Sequence, residues 1–311
     1  MPSVTLHLAL AERTLERWRP AKTLFDRSDP AVMNAFRQGS FGPDFGYFPG
    51  GWRPLSQLSH CVRTGDLTRA LLQGARTPVE RAFAWGWVTH VLADHAIHPL
   101  IGCAVGELLH GRPDRFVDGD SDPVAHVRVE AGLDALWAAR RPRLRSRPLG
   151  PVFDESSIGF VTEAYASTYG APFDDATLQR SHSIAAVRVR QGLHLAAWTA
   201  RTLDAGAHLR PGLRLGGTVR GLGPRIRHAL GHSSTSLAFL LPVASPAWLT
   251  GAVRQAMRTL PDLFIDELAS GWSGLGNWNL DTGRDEAVEQ GHGGRVRALA
   301  ALERARLPRA A

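Results

Sequence analysis

The sequence predicts an all-α protein, and three observations support this fold class. Apolar residues recur three and four positions apart along most of the chain, which is the spacing of one helix face. No segment alternates apolar and polar residues in the manner of a half-buried strand, and no repeat of fixed period is present. With 311 residues, 44% of them hydrophobic, the chain can bury the core of a multi-helix bundle.

The first elements are predicted from apolar spacing and from the positions of glycine and proline. Helical spacing predicts one helix over residues 4–18 and a shorter one over residues 31–38. Residues 39–52 are rich in glycine, proline and aromatic side chains, which predicts a loop of tight turns. After this loop, Thr64 or Asp66 is expected to cap a helix that begins near Leu67.

The remaining helices follow from cap and proline signals. Pro78 opens a helix that runs through the apolar stretch ending at Pro99, and a shorter apolar piece covers residues 101–109. Asp122 is expected to cap the next helix, because Pro123 follows it and is favoured at the first helical position. Two or three helices are expected over residues 154–203, and another over residues 248–268.

The chain is expected to contain a catalytic domain over residues 1–205 and a helical C-terminal region over residues 206–311, which can pack on the same domain. Residues 210–227 are glycine-rich and basic and lack the GxxxxGK[ST] pattern, which favours a linker over a phosphate-binding loop. Prolines interrupt the apolar stretch 237–253, so we expect peripheral membrane contact at most, not a spanning helix. The N-terminus lacks a signal-peptide pattern, which favours a cytoplasmic location.

Charge and cysteine content limit the function classes. The formal net charge of +7 favours anionic partners such as phospholipid or nucleic acid, although a GC-rich genome would also enrich arginine. Cys61 and Cys103 are too few for a disulfide framework and are expected to be small buried residues. The absence of GxSxG argues against a serine hydrolase.

The central stretch GWVTHVLADHAIHP places His90, Asp94 and His98 four residues apart, on one face of a helix. Two imidazoles and a carboxylate on an apolar helix are costly to bury unless something satisfies them. A single such histidine is more often an ordinary core residue. His126 and Glu130, however, repeat the spacing on a second helix, and facing helices with such pairs form multinuclear metal sites in bundles.

In chain order, the candidate ligands resemble those of the zinc-dependent phospholipase C family. The full set is His7, Asp44, His60, His90, Asp94, His98, His126 and Glu130. The phrases FGPDFGYFP, GWVTHVLADHAIHP and HVRVE are similar to those of bacterial members, and the resemblance covers roughly residues 5–135. It implies a phospholipase C-like bundle with a metal site in its core and two or three zinc ions. The implied activity is hydrolysis of phospholipid or a related phosphodiester by a metal-activated water.

Two alternatives to this activity stay open. The single-strand-specific zinc nucleases share the fold and much of the ligand order, so a nuclease or nucleotidase is possible on the same site, with nucleic acid the less expected partner. A non-catalytic, metal-stabilised binding module is the alternative from another class.

Carried over by position, the resemblance implies three zinc sites. Asp44, His60, His90 and Asp94 would hold one ion, with Asp94 bridging to another. His98, His126 and Glu130 would hold a second ion that is more open, and His7 with Asp94 would hold the third. Secreted members use their mature N-terminal residue at the third zinc. In this sequence a processed Pro2 amine could take that place, or the third site could be empty.

Further roles are expected in the loop around Asp44. Asp44 is the candidate for orienting or deprotonating the attacking water, in addition to binding metal. Phe41, Phe45 and Tyr47 are candidates for the wall of a headgroup pocket, where an aromatic ring can contact a cation such as choline. The alternative is that these rings are core residues that hold the loop in place.

Other polar motifs have simpler interpretations. The acidic loop DGDSDP resembles the first half of a calcium loop, but Pro123 stands where such a loop needs glycine, so a turn is expected. Histidines without a carboxylate in register are expected to be ordinary; these are His95, His110, His182 and His194. Asn277, Asn279 and Asp281 are expected either to approach the metal site or to form a structured turn.

Overall fold

The computed structural model describes residues 4–20, 24–147, 149–154, 157–207 and 242–306. Ten α-helices and one two-stranded antiparallel sheet occur in these ranges. The predicted all-α fold class is therefore confirmed.

The helices pack around one main core cluster of buried apolar side chains. In chain order they are α1 (Val4–Arg17), α2 (Pro30–Gly39), α3 (Arg53–Cys61), α4 (Thr64–Gly74), α5 (Pro78–His110), α6 (Pro123–Arg140), α7 (Gly159–Tyr169), α8 (Asp175–Ala207), α9 (Ala247–Ala269) and α10 (Gly293–Arg306). The sheet pairs β1 (Trp278–Asn279) with β2 (Arg284–Asp285), and short 3₁₀ turns cover Gly42–Asp44, Pro142–Ser146 and Glu286–Val288.

Helix α5 is the central element of the bundle. It packs against α1, α2, α4, α6 and α9. Thr77 and Glu80 form a reciprocal capping box at its N-terminus. With 33 residues it is about 50 Å long, so a single helix presents ligand-type residues along two turns of its buried face.

The prediction of a separate piece after Pro99 is wrong, because α5 continues through this proline to His110. Pro99 has no N–H and cannot donate to the carbonyl oxygen of His95, four residues earlier. The turn between β1 and β2 packs at this gap: a Cβ on Gly283, whose φ is +68°, would lie 2.8 Å from the His95 oxygen. Tertiary packing therefore supports the helix where its own hydrogen-bond ladder is incomplete.

Helices α2 and α5 touch backbone to backbone. A Cβ on Gly86 would overlap the carbonyl oxygen of Phe36, and a Cβ on Gly39 would overlap that of Phe83. This close approach places the Gly42–Asp44 turn, which follows α2, directly beside the polar face of α5. Two glycines thus determine how close Asp44 lies to the helix that carries the His90 motif.

Cap and spacing signals predicted several elements correctly. Helices α2 and α9 each agree with the predicted range to within one residue at either end. Asp122 caps α6 by accepting a hydrogen bond from the Ala125 N–H at 2.9 Å. The cap predicted for α4 is wrong, because the helix already begins at Thr64, with Arg63 in the left-handed region at the cap position.

The described C-terminal segments lie against the same helices. Helix α9 packs on α5 and α1, and α10 packs on α3. Of the sequence-based expectations, Pro2, the linker at residues 210–227 and residues 237–241 lie outside the described residues. Among the helices that are described, none has the length and apolar content needed to cross a bilayer.

Candidate metal centre

All eight predicted ligand residues lie together in the core of the bundle, and none is more than 6% exposed. Helix α1 supplies His7, the 3₁₀ turn supplies Asp44, and α3 supplies His60. The remaining residues come from helices α5 and α6: His90, Asp94, His98, His126 and Glu130. The four-residue spacing therefore places each helical set on one inward face, as predicted.

Asp94 is the centre of the cluster. Its Oδ2 lies 2.9 Å from His90 Nε2 and 3.4 Å from His60 Nε2. Its Oδ1 lies 3.1 Å from His7 Nε2 and 3.5 Å from His98 Nε2. Each oxygen thus faces a different pair of imidazoles, which is the arrangement of a carboxylate that bridges two cation positions.

Backbone carbonyls fix the orientation of two of these rings. His60 Nδ1 lies 2.7 Å from the Ser56 oxygen, and His90 Nδ1 lies 3.1 Å from the Ser40 oxygen. A carbonyl only accepts, so each Nδ1 carries the hydrogen and each neutral ring presents an Nε2 lone pair. The two Nε2 atoms are 3.3 Å apart. Facing lone pairs repel unless a proton or a cation lies between them.

A second group lies at the other end of Asp94. Glu130 Oε1 is 3.3 Å from His126 Nε2 and 3.5 Å from His98 Nε2. His7, Asp44 and His90 form a third group whose ligand atoms lie within 4.8 Å of one another. His7 therefore approaches both Asp94, its predicted partner, and Asp44.

The separations fit zinc. Bonds of about 2.0–2.1 Å in a tetrahedral site put ligand atoms about 3.3 Å apart. In the groups around Asp94 Oδ2 and Glu130 Oε1 the measured separations are 2.9 Å, 3.3 Å, 3.4 Å and 3.5 Å. In addition, Asp44 Oδ2 and Glu130 Oε2 are buried without a hydrogen-bond donor among the described residues. Buried carboxylates without donors are costly, and a cation would satisfy them.

The electrostatics of the cluster favour positive charge. Burial lowers the pKa of His60, but the carboxylates of Asp44 and Asp94 outweigh it and raise that pKa to about 10. Burial likewise lowers the pKa of His98, and Asp94 with Glu130 raises it to about 9. Without metal, these rings therefore hold protons at neutral pH, and metal binding must displace them.

The three aromatic candidates differ in position. Phe41 and Phe45 are fully buried, pack against each other with ring centres 6.1 Å apart, and belong to the core cluster. The alternative of core aromatics is therefore favoured for both. Tyr47 is only partly buried. Its ring lies 5.1 Å from the His60 ring, and the guanidinium of Arg53 covers it at 5.8 Å.

The C-terminal segment forms a structured turn, in which the Asp281 N–H donates to Asn279 Oδ1 at 3.0 Å, and it reaches the cluster through Asp281. Asp281 Oδ1 lies 3.8 Å from His98 Nδ1, and the Leu280 N–H donates to the His60 carbonyl oxygen at 2.7 Å. His292 lies next to it, with Nε2 3.7 Å from Asp281 Oδ2. Sequence reasoning missed His292, because a lone histidine between glycines carries no spacing signal.

The remaining polar candidates do not join the cluster. The Asp118 carboxylate accepts the backbone N–H of Asp120 at 3.0 Å, so the acidic loop is a turn. His95 stacks on Trp278 with ring centres 3.8 Å apart, and His182 packs against Phe45 at 4.9 Å.

Comparison with known proteins identifies a family. The family model described as zinc dependent phospholipase C matches residues 6–189. No curated protein and no solved structure matches the chain.

Proposed function

Since the chain belongs to the zinc-dependent phospholipase C family, we propose that its buried cluster binds two or three zinc ions and hydrolyses a phosphodiester, with phospholipid as the substrate class. The observation that carries the proposal is the pair of Nε2 atoms, 3.3 Å apart, that His60 and His90 direct at each other and at Asp94. Backbone carbonyls hold both rings in this orientation, so the site is prepared for a cation before one binds.

We propose that the zinc ions are held by the ligand sets that the family resemblance implies. His60, His90 and Asp94, with Asp44 beside them, would hold one ion, and His98, His126 and Glu130 would hold another. When bound, zinc lowers the pKa of water toward neutrality and neutralises charge that develops on phosphorus. His7 with Asp94 would hold the third ion.

Asp44 is proposed to orient the attacking water and to accept its proton. Asp44 Oδ1 lies 3.2 Å from His60 Nε2, while the hydrogen on His90 Nδ1 is already donated to the Ser40 oxygen. Asp44 Oδ2 therefore has no donor among the described residues. Complete burial of this carboxylate separates the proton from bulk solvent.

Substrate is proposed to approach beside α3 and α10. A pocket of about 600 Å³ is lined by Arg53, Arg297 and Arg304, together with Pro123 at the start of α6. Arg53 also covers the Tyr47 ring, which in turn lies against His60. Asp120 also lines this pocket and pairs with Arg297, so Arg53 and Arg304 are the guanidinium groups proposed to favour an anionic group. Tyr47 is the aromatic candidate left for contact with a headgroup.

The test combines zinc analysis with three assays: hydrolysis of bis-p-nitrophenyl phosphate, of phosphatidylcholine and of single-stranded nucleic acid. We expect two or three zinc ions per chain, and phosphodiester and phosphatidylcholine hydrolysis that a chelator removes and zinc restores. His98→Ala should lose activity, while His182→Ala changes a buried histidine outside the cluster and should keep it. Zinc-loaded protein that hydrolyses none of the three would support the binding-module alternative, and protein that binds no zinc would overturn the proposal. Hydrolysis of nucleic acid alone would support the nuclease.

A further inference from the structure

A second group of metal-binding side chains lies beside the candidate centre and takes no part in the proposed reaction. It consists of Cys61 at the end of α3, Asp281 in the turn between β1 and β2, and His292 just before α10. Asp281 Oδ2 lies 4.0 Å from Cys61 Sγ and 3.7 Å from His292 Nε2. One ligand atom from each residue falls within 4.8 Å of the other two.

Burial distinguishes this group from a chance surface cluster. Cys61 is fully buried and His292 is 8% exposed, yet both ring nitrogens of His292 have no hydrogen-bond partner among the described residues. An imidazole buried without partners is costly. A thiol that donates weakly to Asp281 would account for Cys61, whereas His292 Nε2 lies 3.7 Å from Asp281 Oδ2, beyond hydrogen-bond distance.

We propose that Cys61, Asp281 and His292 form an additional metal site for a borderline cation of the zinc class. Zinc bonds of about 2.3 Å to sulfur and about 2.0–2.2 Å to oxygen put these two ligand atoms about 3.6 Å apart in a tetrahedral site. The observed 4.0 Å separation needs a contraction of a few tenths of an ångström. Gly294 leaves the space, since a Cβ there would lie 3.2 Å from Cys61 Sγ and 3.0 Å from His292 Cε1.

The charges of the group are compatible with a divalent ion. A thiolate and a carboxylate together balance two positive charges, and His292 adds a neutral donor. Burial and the neighbouring Asp281 raise the pKa of the Cys61 thiol well above its usual range, so a bound cation must displace that proton. Arg295 and Arg297 also bring positive charge near Cys61, so the cation must bind despite their repulsion.

The site would join three segments that are far apart in sequence. Cys61 directly follows His60, and Asp281 Oδ1 faces His98 Nδ1 at 3.8 Å. A cation here would therefore tie α3, the turn and the start of α10 together next to the main cluster. Its role is structural, because one bound ion would link three separate segments and stabilise the fold.

Cobalt titration of the full-length protein tests the proposal, because a thiolate bound to Co²⁺ gives a charge-transfer absorption in the near ultraviolet. The main cluster contains no cysteine, so this signal is independent of the proposed hydrolase. After chelation and dialysis, we expect wild-type protein and Cys103→Ser to develop the band, since Cys103 lies outside the site. Cys61→Ser should lack the band, and His292→Ala should need at least about tenfold more cobalt to develop it.

A wild-type protein without the band would overturn the proposal, and so would a band that persists in Cys61→Ser or disappears in Cys103→Ser. An unchanged cobalt requirement in His292→Ala would remove the histidine from the site and also overturn it. Far-ultraviolet circular dichroism checks the fold of each variant. If Cys61→Ser does not fold, the wild-type, Cys103→Ser and His292→Ala titrations decide the question.

Discussion

Replacing Asp94 by asparagine tests the proposed bridge most directly. The substitution keeps the shape of the side chain and removes its charge. Because Oδ1 and Oδ2 face different imidazole pairs, at 3.1 Å and 3.5 Å on one side and 2.9 Å and 3.4 Å on the other, one change disturbs two cation positions. Glu130→Gln removes a carboxylate from the His98–His126 group, so it should affect one position.

The size of the effect follows from this geometry. Residues that only support a ligand change metal affinity by about 10–100-fold, so a shared direct ligand should matter by at least about 100-fold, or about 2.7 kcal/mol. In metal-free protein, the loss of a buried charge partner should lower the free energy of unfolding by about 3–5 kcal/mol. Equilibrium dialysis at fixed free zinc, followed by metal analysis, should show Asp94→Asn losing about twice as many ions as Glu130→Gln.

Asp134→Asn is the matched control. Asp134 is also a buried aspartate, but its carboxylate accepts the Thr5 N–H at 2.9 Å and lies outside the cluster. This variant should keep the wild-type number of zinc ions. The reasoning is refuted if Asp94→Asn binds zinc with wild-type number and affinity, or if its loss does not exceed that of Glu130→Gln.

Two further predictions concern stability. His60 and His98 have pKa values raised to about 10 and about 9 in the metal-free fold. Their contribution to the free energy of unfolding is therefore complete below pH 6.5 and is lost as pH rises toward 10. Denaturant unfolding of chelated protein should show this decline, and rising stability over the same interval would contradict it. Gly86→Ala should lower the free energy of unfolding by about 3 kcal/mol or more, because the new Cβ would overlap the Phe36 carbonyl oxygen. Gly251→Ala, in a helix with open space around it, should instead raise it by about 0.5–1 kcal/mol, and equal effects at the two positions would count against the close contact of α2 and α5.

Local signals predicted much of the fold. Proline at the first helical position and an aspartate cap marked the start of α6, because both signals act within one turn. Helix α3 was not predicted, since RPLSQLSHC is short and polar and its burial comes from tertiary contacts. The end predicted at Pro99 failed for the same reason: packing outweighs the loss of one hydrogen bond in a 33-residue helix.

The same limit applies to the candidate site. The four-residue spacings placed His90, Asp94, His98, His126 and Glu130 on helix faces that meet, whereas their pairing with His7 and Asp44 came only from the family resemblance. Burial of Phe41 and Phe45 could not be read from composition, because an aromatic-rich loop can face the core or the solvent. The approach of His292 to Cys61 spans more than two hundred residues, and no local pattern encodes it.

Pro99 has a consequence for the way the turn between β1 and β2 packs on helix α5. The missing N–H opens a gap at the His95 carbonyl, and the bare backbone of Gly283 fits against it. The turn therefore contacts helix α5 at this position. Pro99 is one residue beyond His98, and Gly283 is two residues beyond Asp281. A side chain at position 283 would push the hairpin outward and carry Asp281 with it. A defect in one helix thereby sets the alignment of a segment nearly two hundred residues away.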